Sequence, residues 1–221
     1  LKGRTHKGGL QPEVAIEITR CVARGTAHVH VNSIIHRDLH AGNILISFKP
    51  GLRPGDEITG KHVHSVCVAD FGQACDFHGA KTIENRSLRR GALVICPPEC
   101  YLAQAGCFVA NGSEYGTPVD VWAIGVNLML MIAGYSFITD FKNTASYLQF
   151  WSKVVGQVPA HVASRLGWVI GSQALASSSR APIHALRPVA GGGEFVAHVK
   201  LLQYDPSRRP TACEVADCSF S

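Results

Sequence analysis

Two short apolar runs, Ile34-Ile35 and Ile44-Leu45-Ile46, bracket the polar stretch His36-Arg37-Asp38-Leu39-His40-Ala41-Gly42-Asn43, and this bracketing constrains the chain more than any other feature. Runs this short and aliphatic read as buried strands, so the residues between them form a loop pinned at both ends. A pinned loop holds side chains at fixed separations. Asp38 and Asn43, five positions apart, then supply a carboxylate able to take a proton from a hydroxyl and a carboxamide oxygen able to hold a hard cation. Further on, Val66-Cys67-Val68-Ala69 reads as a third short strand ending in Asp70-Phe71-Gly72, where a second carboxylate can face the same cation.

The pattern H-R-D-x-x-x-x-N followed by D-F-G resembles the catalytic half of the eukaryotic protein kinases. Two later anchors carry the same resemblance. Cys96-Pro97-Pro98-Glu99 stands where that family has A-P-E, and Asp205-Pro206-Ser207-Arg208-Arg209-Pro210-Thr211-Ala212 resembles its D-P-x-x-R-P-T-A. The resemblance implies a mainly α fold, a kinase-like C-terminal lobe with a small β-hairpin region at the catalytic loop. It spans residues 1–221 as one domain, with surface insertions expected at 48–63 and 173–193. No Gly-x-Gly-x-x-Gly loop, strand lysine or partnering glutamate precedes the loop, so the N-terminal lobe is expected to be absent.

The same resemblance assigns roles. Asp38 would accept the proton of a protein serine or threonine hydroxyl, while Asn43 and Asp70 would bind Mg2+ bridging the phosphates of ATP. His40 replaces the lysine that neutralises the transferring phosphoryl group, and Leu45 would form the floor under adenine. Supporting positions follow in the same way: His36 stacking below Phe71, Gly72 completing the D-F-G turn, Asp120 accepting from backbone amides around His36 and Arg37, and Glu99 pairing with Arg209. Arg37 would grip a phosphate on the segment from Gln73 to Ile95, where Thr82 and Ser87 lie beside Arg86, Arg89 and Arg90. Ala92 stands where the family places a threonine hydroxyl beside the base. The serine/threonine type rests on the absence of the A-A-R-N or R-A-A-N loop, and the segment from Tyr147 to Pro159 looks like the cyclin-dependent group.

Periodicity supplies the frame. Val14, Ile18, Cys21, Val22 and Ala27 recur at helical steps after Pro12 and predict a helix from there to about His28. Tyr115 to Val126 opens a helix that runs apolar on every face to Ile132 and stops at Gly134, which predicts a helix in the middle of the lobe; Ala212 to Phe220 predicts a short closing helix. The greasy run from Val121 to Ala133 is shorter than the roughly twenty residues of a membrane span. Net charge of +5 is dispersed, without the aromatic-basic interleaving of a nucleic-acid surface. Eight cysteines without a C-x-x-C pair predict reduced thiols inside the cell, in cytoplasm or nucleus. His28, His30, His36 and His40 crowd together, but at no common zinc spacing.

The expected partners are therefore ATP, a protein substrate and a regulatory protein, with neither nucleic acid nor membrane. Three alternatives stay open, one of them a gene fragment with no independent function. A pseudokinase-like binding module would recruit partners through its helices. A small-molecule phosphotransferase shares Asp38-Leu39-His40-Ala41-Gly42-Asn43 locally but lacks the Pro-Pro-Glu anchor and the helix that begins near Asp120.

Overall fold

The computed structural model describes residues 10–53, 56–77, 83–84, 95–100, 114–133, 201–203 and 205–217, and the fold is built from these. Thr82, Ser87, Ala92 and the stretches 147–159 and 173–193 lie outside the described residues. Helix α1 is Pro12–Val31. Proline at its first position has no N–H to leave unpaired, and Glu13 faces the positive helix end. Val14, Ala15, Ile18, Val22 and Ala23 form its buried stripe.

The helix runs three residues past His28, where the apolar period fades. Asn32 explains the extension: its backbone N–H donates to His28 O, and its side-chain amide donates to the same carbonyl at 2.8 Å. Both bonds go to one carbonyl near the helix end, where acceptors otherwise run short of donors. Ser33, at φ +61°, then turns the chain out of helix in the left-handed region.

Helix α2, Pro118–Ala133, is the centre of the fold. Val121, Trp122, Ile124, Val126, Leu128 and Met129 are all essentially without solvent contact, so every face of the helix is covered. Gly125 lets another segment come close: a methyl there would lie 2.8 Å from Leu201 Cβ. Helix α3, Ala212–Asp217, buries Ala212, Val215 and Ala216, and packs on α1.

The strands are short and pair antiparallel in three two-stranded ladders among the described residues. Strand β1 (Ile34–Ile35) pairs with β4 (Cys75–Asp76), β2 (Ile44–Phe48) with β3 (Val63–Val68), and β5 (Ile83–Glu84) with β6 (Glu114–Tyr115). In the second ladder Ile44 faces Val68 and Ile46 faces Val66, and Val66 and Val68 pack against the core. The alternate pair, Leu45 opposite Cys67, looks outward; Leu45 is 57% exposed. A mainly helical body with a hairpin beside the loop that carries His36 to Asn43 is thus what the strands and helices make.

The turn Gly60–His62 leans on α1, where a Cβ at Gly60 would meet Glu13 O at 3.1 Å. No helix among the described residues is long and apolar enough to cross a membrane.

Candidate active site

Asp120 organises the loop that carries Asp38. It sits in the first turn of α2 and is 1% exposed. A carboxylate that deep needs donors, and it has them. His36 N donates to Oδ2 at 2.8 Å and Arg37 N donates to Oδ1 at 2.8 Å. A third comes from the helix before the loop: His30 Nε2 lies 2.9 Å from Oδ2. These bonds hold Arg37 at φ +67°, a left-handed conformation that side chains other than glycine adopt only when the surroundings impose it.

His36 is itself buried and clamps the neighbouring segment. Its Nδ1 accepts from Asp38 N at 3.3 Å, so in the neutral ring Nε2 carries the proton and donates to Ala69 O at 3.0 Å. Phe71 packs against it with ring centroids 4.8 Å apart and planes inclined by 57°, a tilted contact rather than a parallel stack. Ala69 N donates to Asn43 O at 2.9 Å. Both backbone groups of Ala69 are therefore tied to the catalytic loop, and the next residue is Asp70. Asp70 adopts φ +60° and caps the short turn Phe71–Gln73 by accepting from Gly72 N at 3.1 Å.

Asn43 is 6% exposed, and its Nδ2 donates to Asp38 O at 2.8 Å. With the amide nitrogen so committed, Oδ1 is the atom left to face a cation, and Asp70 keeps Oδ2 beyond its bond to Gly72. A carboxamide oxygen and a carboxylate oxygen are hard donors, the set that suits Mg2+. The donor chemistry fits the ion. Asp38 adds a different feature: its Oδ1 is buried without a hydrogen-bond partner.

His40 stands over the loop. Its Nδ1 accepts from Gly42 N at 2.9 Å, so the neutral ring carries its proton on Nε2, which points at Asp38 Oδ2 from 3.8 Å. A Cβ on Gly42 would lie 2.7 Å from His40 Cε1, so the small residue at 42 makes room for the ring at 40.

Two side chains anchor the platform below. Arg209 forks onto Glu99, with Nη1 to Oε1 at 2.6 Å and Nη2 to Oε2 at 2.7 Å. It also donates from Nε to Gln203 O and from Nη1 to Pro118 O, and its guanidinium lies 4.9 Å over the Trp122 ring. Arg37 makes a second fork, donating from Nε to Gln73 O, from Nη1 to Tyr115 Oη at 2.9 Å and from Nη2 to Ala74 O at 3.4 Å. Beside the first anchor, burial and then the Glu99 charge push the Cys96 thiol up to about 12, and the same causes in the same order raise Cys100.

The structure thus brings His36, Arg37, Asp38, His40, Asn43 and Asp70 to one loop cluster. Leu45 lies just beyond it on the outer face of the hairpin, and Glu99 with Arg209 forms a separate anchor. Three contributors escaped the sequence reading. His30 was visible only as one of a histidine crowd. Asn127, whose Nδ2 donates to Leu39 O at 2.6 Å and Ala123 O at 2.8 Å, is the lone amide in a greasy helix, a signal that a buried partner had to exist. Tyr115 gave no sign of its bond to Arg37.

A family model described as the protein kinase domain matches residues 2–221. The chain is similar to mitogen-activated protein kinase kinase kinase 20 of Arabidopsis thaliana, 32% identical over 127 residues, covering 57% of this chain and 30% of that one. It is also similar to the serine/threonine-protein kinase US3 homolog of Varicella-zoster virus (strain Dumas), 34% identical over 131 residues, 57% of this chain and 26% of the other. A bacterial relative, serine/threonine-protein kinase PkaB of Streptomyces coelicolor, is 29% identical over 127 residues, 58% of this chain and 27% of its own length. The chain spans less than a third of each of these relatives.

Proposed function

The chain belongs to the protein kinase family, and on that premise we propose that it is the C-terminal catalytic lobe of a serine/threonine protein kinase, using ATP and Mg2+ inside the cell. The observation that carries the reading is Asp38 Oδ1, a buried carboxylate oxygen left without a partner on a loop whose His36 and Arg37 amides are held by Asp120. An incoming serine or threonine hydroxyl is the donor that completes it.

Asn43, through Oδ1, and Asp70, through Oδ2, would hold Mg2+. The ion and its bound triphosphate supply the transferable phosphoryl group and neutralise charge that builds on it. Every other step belongs to the chain. Asp38 orients the substrate hydroxyl and takes its proton as the hydroxyl oxygen attacks. His40 Nε2–H, 3.8 Å from Asp38 Oδ2, lies beside the carboxylate and offers a donor toward the transferring group. Asp120, by fixing the amides of His36 and Arg37, holds the loop in the conformation that presents Asp38. Leu45, exposed on the hairpin, is the apolar surface for the base of the nucleotide.

In a complete kinase fold an N-terminal lobe would cover Leu45 and add a phosphate-binding lysine. A regulatory protein partner fits the same exposed face. The test is transfer of labelled phosphate from ATP to a serine/threonine peptide library with Mg2+, comparing the chain with Asp38→Asn. Transfer that disappears in the variant while thermal unfolding is unchanged supports the reading. Magnesium-dependent nucleotide binding with no transfer in either protein points instead to the pseudokinase alternative, and transfer only to small hydroxylated molecules points to the phosphotransferase one.

A further inference from the structure

Arg37 is joined to the segment that follows Asp70 by its guanidinium, and Tyr115 is a side-chain acceptor in that junction. The residue is 3% exposed, with its hydroxyl 2.9 Å from Arg37 Nη1. A guanidinium only donates, so the phenol oxygen accepts there and keeps its own proton to give. Gln73 O and Ala74 O take the other two arms of the fork, and both residues lie just past Asp70-Phe71-Gly72. Tyr115 also sits opposite Ile83 in the β5–β6 ladder, so it couples that later strand to the catalytic loop. The charged partner sits at φ +67°, one residue before Asp38.

We propose that Tyr115 is a positioning residue for phosphoryl transfer: its hydroxyl gives Arg37 the oxygen partner that the sequence assigned to a phosphate, and so holds the turn that presents Asp38. The proposal rests on the kinase reading for its consequence in catalysis, and on the clamp alone for its structural consequence. Tyr115→Phe removes one hydroxyl and leaves the ring among Ile35, Cys100 and Val119, so the packing of that cluster is kept.

Amide hydrogen exchange on the whole chain is the first readout. Residues 34–45 are expected to exchange about tenfold faster in Tyr115→Phe, the factor for one hydrogen bond to a charged group, while residues 14–29 of α1 are unchanged. Arg37→Lys, which keeps the charge and loses the bonds to Gln73 O and Ala74 O as well, is expected to give at least the same local change, and the double variant no more than Arg37→Lys alone. In the transfer assay kcat falls by a similar factor at unchanged KM for the nucleotide. Unchanged exchange over 34–45, a rise that spreads through α1, or single-variant effects that multiply would each overturn the proposal. Asp38→Asn that still transfers phosphate would remove the kinase reading and leave the exchange result standing.

Discussion

Asp120 collects three donors, from His36 N, Arg37 N and His30 Nε2, whereas Asp38 leaves Oδ1 buried with none. Both carboxylates belong to the support and the business end of the same loop. Leaving a buried acceptor unmet costs about 1–3 kcal/mol, more when it is charged; Thr26 Oγ1 and Asn127 Oδ1 are unmet as well, and among the described residues Asp38 Oδ1 is the one that belongs to a carboxylate. The satisfied acid is a joint; the unsatisfied one is the proposed receptor for a substrate hydroxyl. The comparison separates two kinds of loss: removing Asp120 should weaken the fold, and removing the Asp38 charge should not.

The largest expected effect is on catalysis. Asp38→Asn should lower phosphate transfer by ~1,000-fold, the scale of a lost general base, without lowering the unfolding midpoint. A variant that both loses activity and unfolds early would erase the distinction between the two acids. Next comes Asp120→Ala, expected to destabilise by about 3 kcal/mol in urea titration, because it strands two amides and an imidazole at once. Gly125→Ala should cost about 2 kcal/mol by the same titration, since its methyl meets Leu201 Cβ at 2.8 Å; that loss lies in packing and should leave the loop alone. His30→Gln should cost only about 1 kcal/mol, as two of the three donors on Asp120 remain.

The smallest effect concerns the cysteines. Cys67 and Cys213 are exposed and should react with iodoacetamide at pH 8, while Cys96, raised to about 12, and buried Cys100 stay unmodified until the chain unfolds. The sign for stability follows. Cys96 is neutral in the fold up to about 12, and unfolding returns it to an ordinary value near 9.0, so its contribution is intact below pH 9 and is lost as pH rises toward 12.

Much of this was legible because the information is local. Ile34-Ile35 and Ile44-Leu45-Ile46 carry their strand character within a few residues, and α2 declares its burial by being apolar on every face. The two amides on Asp120 and the Glu99–Arg209 fork were readable only through the family's motifs, because their members lie 83, 84 and 110 positions apart.

What was hidden depends on geometry that no spacing encodes. The end of α1 is decided by Asn32 bonding back to His28 O, three residues after the apolar period fades. His30 meets Asp120 across 90 positions. The tautomer of His40 is set by a backbone N–H two residues on, and Gly42 matters for the space it leaves rather than for any conformation of its own.

The most direct test is paramagnetic broadening of backbone amides by Mn2+ with millimolar ATP in the isotope-labelled chain. The account predicts loss of signal concentrated at Asn43, Asp70 and Gly72, with Asp120 and its α2 neighbours spared until higher concentrations. Broadening centred elsewhere, or absent from Asn43 and Asp70 while other residues respond, would contradict it.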